Sequence, residues 1–289
     1  MERRQFIKSS LLTAAVITVK QPILSGFSTP IKKYASDRVK LGNTGIIVSR
    51  MAIGTGTNGY NKASNQTRKL GLKGMGDLLQ AAFEQGIFFW DTADQYGSHP
   101  HIKEGLTRVS REKVVILTKT HASTEKEMKE DLDRFRQELG TDHIDVILLH
   151  CMEDNDWPQK KKGAMEYLMK ARQEGIIKAH GVSCHTFGAL KASEASEWVQ
   201  VDLARINPAG VIMDSDVSSV TTVLKNMKKS GKAVMGMKIL GAGQLADRKD
   251  ECLKYALSQE YLDCFTIGIE SHDQLADLIK RIPEASTLV

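Results

Sequence analysis

Apolar and polar positions alternate along this chain with a long-range rhythm. Eight short apolar runs rich in β-forming residues end near Gly54, Asp91, Lys119, His150, Ser183, Asn207, Lys238 and Glu270, at intervals of 24 to 37 residues. Between most of them, residues 75–85, 125–139, 163–174, 218–229 and 250–259 carry apolar side chains at three- and four-residue spacing, as does a final stretch over 273–281, predicting helices. Strands alternating with helices imply a parallel sheet with crossover connections. Eight such units suit an α/β fold of the closed (β/α)8 TIM-barrel type, with its active site at the C-terminal rim of the strands. A doubly wound open sheet is the alternative, but no G-x-G-x-x-G follows the first strand. Ahead of the barrel, residues 38–49 alternate around Gly42-Asn43-Thr44-Gly45 and predict a β-hairpin. Residues 55–74 are polar and rich in Gly, Asn and Lys, and read as a long loop. The predicted division is residues 1–37 as leader and linker and 38–289 as barrel.

Charge changes this picture only at the start. The chain has 289 residues, 41% of them hydrophobic, and a formal charge of +5. Residues 1–40 hold eight basic side chains against two acidic ones, which leaves 32 basic and 33 acidic in the body. A near-neutral body has no basic face to neutralise phosphates, so nucleic acid is excluded as a partner. The head Glu2-Arg3-Arg4-Gln5-Phe6-Ile7-Lys8, followed by the short apolar run 11–19, resembles a twin-arginine export signal. It implies the twin-arginine machinery as a partner and a periplasmic or otherwise exported destination, with the cytoplasm as the alternative if the signal is not used. No clean small-x-small cleavage site precedes Phe27, and no cysteine within the first 150 residues offers a lipid anchor. The four cysteines, Cys151, Cys184, Cys252 and Cys264, show no C-x-x-C spacing, so no metal centre is expected. Cys151 and Cys184 both follow strand-like runs; a disulfide is permitted outside the cytoplasm, with reduced thiols as the default.

Three of the strand-like runs end on chemistry. The run through Trp90 stops at Asp91, with Tyr96 five residues later on a turn closed by Gly97; the next two stop at Lys119 and at His150. A phenol has an ordinary pKa of about 10. A neighbouring ammonium favours phenolate, and a carboxylate holds that ammonium in place. Tyr96, Lys119 and Asp91 therefore suit a general acid, and His150 suits orienting a substrate oxygen. Such a set delivers a proton to an oxygen while a hydride reaches its carbon.

These residues resemble the aldo/keto reductase family over about residues 39–282. Residues 41–50 are similar to its opening hairpin, Gly54-Thr55-Gly56 to its first-strand turn, Asp91-Thr92-Ala93 with Tyr96-Gly97 to its signature, and Gly181-Val182-Ser183 to its fifth-strand motif. The resemblance implies an oxidoreductase that interconverts an aldehyde or ketone and an alcohol with NADP or NAD. Tyr96 would be the general acid, Lys119 and Asp91 its tuners, and His150 the orienting group. It further implies coenzyme contacts from Gly54, Thr55 and Ser183, from Lys238, Leu240, Gly241 and Gly243 after the seventh strand, and from Ser271, Gln274 and Asp277 at the last helix. The pattern departs in three places. Cys184 stands where an asparagine is common, Leu203 aligns with the sixth-strand glutamine, and Met237 aligns with the ring-stacking aromatic. No Lys/Arg pair for a 2′-phosphate is evident around 268–274. The missing C-terminal lid implies an open mouth suited to polar carbonyls such as sugar derivatives, with Tyr60, Trp157 and His185 as wall candidates. The alternative functions are a non-catalytic nicotinamide-nucleotide sensor or accessory subunit, and a barrel of lyase or isomerase chemistry.

Overall fold

The computed structural model describes residues 32–287; the twin-arginine-like segment lies outside the described residues. Strands β1 (Arg38–Lys40) and β2 (Ile47–Ser49) form an antiparallel hairpin. Eight parallel strands then close a barrel: β3 (Met51–Gly54), β4 (Phe89–Asp91), β5 (Val115–Thr120), β6 (Ile144–Met152), β7 (Ile177–Cys184), β8 (Val201–Arg205), β9 (Ala233–Met237) and β10 (Cys264–Gly268). β10 pairs back onto β3, with Phe265 opposite Met51 and Gly268 opposite Gly54. Helices α1 (Asn65–Glu84), α2 (His99–Leu106), α3 (Glu125–Leu139), α4 (Trp157–Lys160), α5 (Lys162–Gln173), α6 (Phe187–Ala195), α7 (Val217–Lys229), α8 (Lys249–Ser258) and α9 (His272–Ser286) make the outer layer. None of the described helices is long and apolar enough to cross a membrane.

α3 shows how these crossovers are encoded. Thr124 caps it by accepting from the Glu127 amide, and the Glu127 side chain returns to the Thr124 amide. Met128, Leu132, Phe135 and Leu139 form the buried stripe, and Gly140 ends the helix in the left-handed conformation.

Two apolar clusters follow from strand periodicity. The larger lies between strands and helices. The smaller fills the barrel with inward residues such as Phe89, Leu117, Val146, Leu148 and Leu203. Leu41, Ile46 and Val48 of the hairpin join this inner cluster, so the hairpin plugs the base.

Three expectations about elements need correction. Residues 65–74 are the first half of α1, started by a Ser64–Thr67 capping box, with a kink at Gly71 (φ 59°, ψ −172°). Its three glycines before Asp77 gave that stretch a loop-like composition. α2, with Pro100 in its first turn, and α6 were also missed. β8 ends at Arg205 rather than Asn207, and β10 at Gly268 rather than Glu270.

Candidate active site

Strand alternation assembles the rim. Phe89 faces the barrel interior, and Asp91 takes the same face two residues later; Leu117 and Lys119 repeat this in β5, and Leu148 and His150 in β6. All three polar groups are buried, Lys119 to 1% exposure. A lysine so buried needs a counter-charge. Its ammonium donates to the Asp91 carboxylate and, at 2.8 Å, to the Thr92 carbonyl.

Tyr96 arrives on a single 3-10 turn, Asp94–Tyr96, that Gly97 closes at φ 63°. Its ring lies against the loop after β3, where a Cβ on Gly56 or Gly59 would come within 2.2 or 2.3 Å of ring carbons. Tyr96 Oη is 3.4 Å from His150 Nε2, and the two rings meet edge-on at 81°. Lys119 Nζ stands 4.9 Å from the centre of the Tyr96 ring. The four groups named from the sequence thus converge.

One expectation about their electrostatics fails. Lys119 is occupied by Asp91 and Thr92 and meets the phenol ring rather than its oxygen. Burial, followed by the Asp91 charge, pushes the Tyr96 pKa well above its ordinary value. The phenol is therefore held protonated. Burial and then the Lys119 charge push His150 well below the ordinary imidazole range, so it is neutral. Its Nδ1 is buried without a hydrogen-bond partner.

Of the residues assigned to a coenzyme, Thr55 is already committed: its hydroxyl donates to the Asp91 carbonyl at 3.0 Å and meets Ser98 Oγ at 2.8 Å, bracing the rim from within. A Cβ on Gly54 would come within 2.9 Å of Thr266 Oγ1. Ser183 Oγ accepts from the Cys151 amide at 3.0 Å. After β9, Lys238 has φ 57°, and Gly241, Ala242 and Gly243 have φ of 56°, 55° and 97°. Leu240 is half-buried beside them. A Cβ on Gly243 would meet no atom within 4 Å, so this exposed backbone borders open space. Such a loop fits close approach of a phosphate-bearing ligand. At α9, Ser271 Oγ accepts from the Gln274 amide, Gln274 Oε1 from the Glu270 amide, and Asp277 pairs with Lys249 and Arg281.

Further departures concern the walls. Leu203 is packed inside the barrel, and the rim position of β8 belongs to Arg205, whose guanidinium donates to buried Asp214. The signal that finds it is the inward alternation of Val201, Leu203 and Arg205. Trp157 is core, donating Nε1–H to the Ala189 carbonyl, and is not a wall. Tyr60 is exposed on the loop after β3. Met237 tops the inner cluster. Cys151 (φ 56°) directs Sγ towards His185 Nε2 at 3.6 Å, while Cys184 faces Asp202; all four cysteines are free thiols. Burial raises the Cys151 thiol to about 11 and lowers His185 to about 4, so the pair is uncharged. Asp94, His99 and Glu138 approach one another as metal ligands would, but Arg134 pairs with both carboxylates and Lys62 with Asp94.

A closed parallel barrel with these groups at its C-terminal rim defines a protein of the (β/α)8 class. The aldo/keto reductase family model matches residues 51–263, and the chain belongs to that family. An Alternaria alternata aldo-keto reductase is 25% identical over 251 residues, covering 73% of this chain and 67% of its own. A Pseudomonas D-threo-aldose 1-dehydrogenase is 25% identical over 202 residues, covering 58% of this chain and 60% of its own. The fold is shared with a Bombyx mori aldo-keto reductase solved in complex with NADP, at a TM-score of 0.63 and 17% identity, over 86% of this chain and 91% of the other.

Proposed function

We propose that the chain interconverts an aldehyde or ketone and its alcohol using NADP or NAD, with Tyr96 as the proton donor. The observation that carries this is the convergence of a protonated phenol, a neutral imidazole and a neutralised ammonium at one rim. A bound nicotinamide coenzyme would supply or accept the hydride. The Tyr96 hydroxyl donates its proton to the carbonyl oxygen, and His150 Nε2 lies close enough to hold that oxygen. Lys119, anchored by Asp91, keeps its ammonium 4.9 Å from the centre of the ring that would carry the phenolate. Buried Thr55 and the Gly56–Gly59 loop keep the phenol in place.

Coenzyme contacts are proposed for Ser183, for the backbone of 240–243, and for the α9 start at Ser271. The carboxylates near that start are largely neutralised: Glu270 pairs with Lys69, and Asp277 with Lys249 and Arg281. Asp273 is exposed in the first turn of the same helix. The aldose dehydrogenase relative favours sugar-type carbonyls. The twin-arginine-like head supports export; since coenzyme is scarce outside the cytoplasm, we further propose that it is tightly held and recycled between two substrates.

The test is mass spectrometry of nucleotide released from protein isolated from its native cells, followed by NADH- and NADPH-dependent assays on an aldehyde panel. Stoichiometric nucleotide with turnover supports the reading. Nucleotide binding without turnover of any carbonyl would instead support the sensor function.

A further inference from the structure

Buried and half-buried lysines elsewhere in this barrel have partners. Lys119 has Asp91, Lys228 has Asp263, Lys161 has the His121 carbonyl, and Lys232 has the carbonyls of Ser193, Glu194 and Ser196. Lys238 differs: it is half-buried at the rim, and among the described residues its ammonium meets neither a carboxylate nor a carbonyl. Its backbone is held in the left-handed region, where a non-glycine residue is strained. Two hydrogen bonds fix it there, from Asn207 Nδ2 at 3.3 Å and the Gly241 amide at 2.8 Å, both onto the Lys238 carbonyl. The fold therefore maintains a strained residue whose charge is unspent.

Lys238 directly follows β9, on the rim where the ends of β4, β5 and β6 carry Asp91, Lys119 and His150, and its neighbour Met237 pairs with Arg205 of β8. Beside it, Arg205 is 9% exposed and gives Nε and one amino group to Asp214; its other amino group has no partner among the described residues. The His150 and His185 imidazoles are neutral, so Lys238 and Arg205 supply the positive charge on this side of the mouth.

We propose that Lys238, with the free edge of Arg205 beside it, pairs with an anionic group on the substrate, so that the preferred substrates are carbonyl compounds bearing a carboxylate or phosphate. This rests on the reductase reading and names its substrate class. A coenzyme diphosphate is the competing anion, and the coenzyme titration below separates the two.

The experiment uses the full chain with saturating coenzyme and two matched pairs: succinic semialdehyde against butanal, and glyceraldehyde 3-phosphate against glyceraldehyde. In each pair kcat/KM should favour the charged member by about tenfold or more at low salt, with the advantage shrinking as salt rises. Lys238→Met should bring both ratios close to one, and Lys238→Arg should restore most of the preference. Coenzyme Kd, read by fluorescence titration, should stay within about twofold of the wild type. If Lys238→Met does not fold, Lys238→Gln serves the same comparison. Equal kcat/KM within each pair for the wild type overturns the proposal. So does a weakened coenzyme Kd in the variant with its preference retained, which would assign Lys238 to the diphosphate. Turnover of none of the four aldehydes, together with no coenzyme binding, would remove the reductase reading and this inference with it.

Discussion

The two ends of the barrel are built to different standards. At the base, Asp145 is fully buried yet accepts from Arg111 and the Ile116 amide, each at 2.8 Å, and faces the Lys178 ammonium at 2.6 Å. Asp263 likewise takes Lys228 and the Val234 amide. Where the helix-to-strand turns there need a left-handed residue, glycine supplies it, at Gly86, Gly140, Gly175 and Gly231. At the mouth other residue types join glycine in that conformation. All seven non-glycine residues with positive φ among the described residues, from Asn58 to Ala242, lie at strand ends or in strand-to-helix loops. His150 Nδ1 is left without a partner, and Lys238 without a counter-charge. The base is arranged for stability, and the mouth keeps strain and unpaired groups for use.

Substitutions at the two ends should therefore separate activity from stability. The largest effect is expected at the mouth: Tyr96→Phe should lower kcat by roughly 10²–10⁴-fold while coenzyme affinity and unfolding midpoint stay close to wild type. Steady-state kinetics beside a melting curve checks this, and wild-type turnover would refute the role of the phenol. Asp145→Ala is the counterpart, costing about 3–5 kcal/mol because Arg111 and the Ile116 amide lose their acceptor. Urea unfolding should show that loss, with kcat of the folded protein unchanged.

Asp202 sharpens the contrast through pH. Burial, with a further push from Asp214, raises its carboxyl to about 7 against an ordinary value near 4. The native state retains a proton that the unfolded chain releases, so stability falls as pH rises from about 4 to 7. Asp202→Asn should remove this slope, gaining on the order of 4 kcal/mol at pH 8 and nothing near pH 4; parallel slopes in the two proteins would disprove it. The smallest effects come from exchanging the two turn types. Ala242→Gly should stabilise, and Gly140→Ala destabilise, each by about 1 kcal/mol in denaturant titrations.

Much of the rim was legible because strand alternation is a two-residue rule. Once Phe89, Leu117 and Leu148 are placed inside, Asp91, Lys119 and His150 must follow them. The same rule finds Arg205 once β8 is ended there, two residues before Asn207 on the same face. Other features depend on distant parts of the chain. Nothing local to Gly56 or Gly59 announces that a phenol ring packs on them. Nor does the order of residues show that the Lys119 ammonium meets that ring on its face rather than at its oxygen. Only the first half of α1 is hidden, by Gly71 and Gly74, whose propensity argues for a loop while the Ser64–Thr67 capping box argues for a helix.

The seam between β10 and β3 sets an order of events during synthesis. The wall closes only when the last strand finds the first, and until then β3 and β9 each present a free edge of backbone donors and acceptors. Asp91, Lys119 and His150 emerge from the ribosome well before the strand that seals the structure around them. A nascent chain thus carries its reactive groups on an open, adhesive sheet, and a stop anywhere before Cys264 should yield aggregates rather than a weakened enzyme.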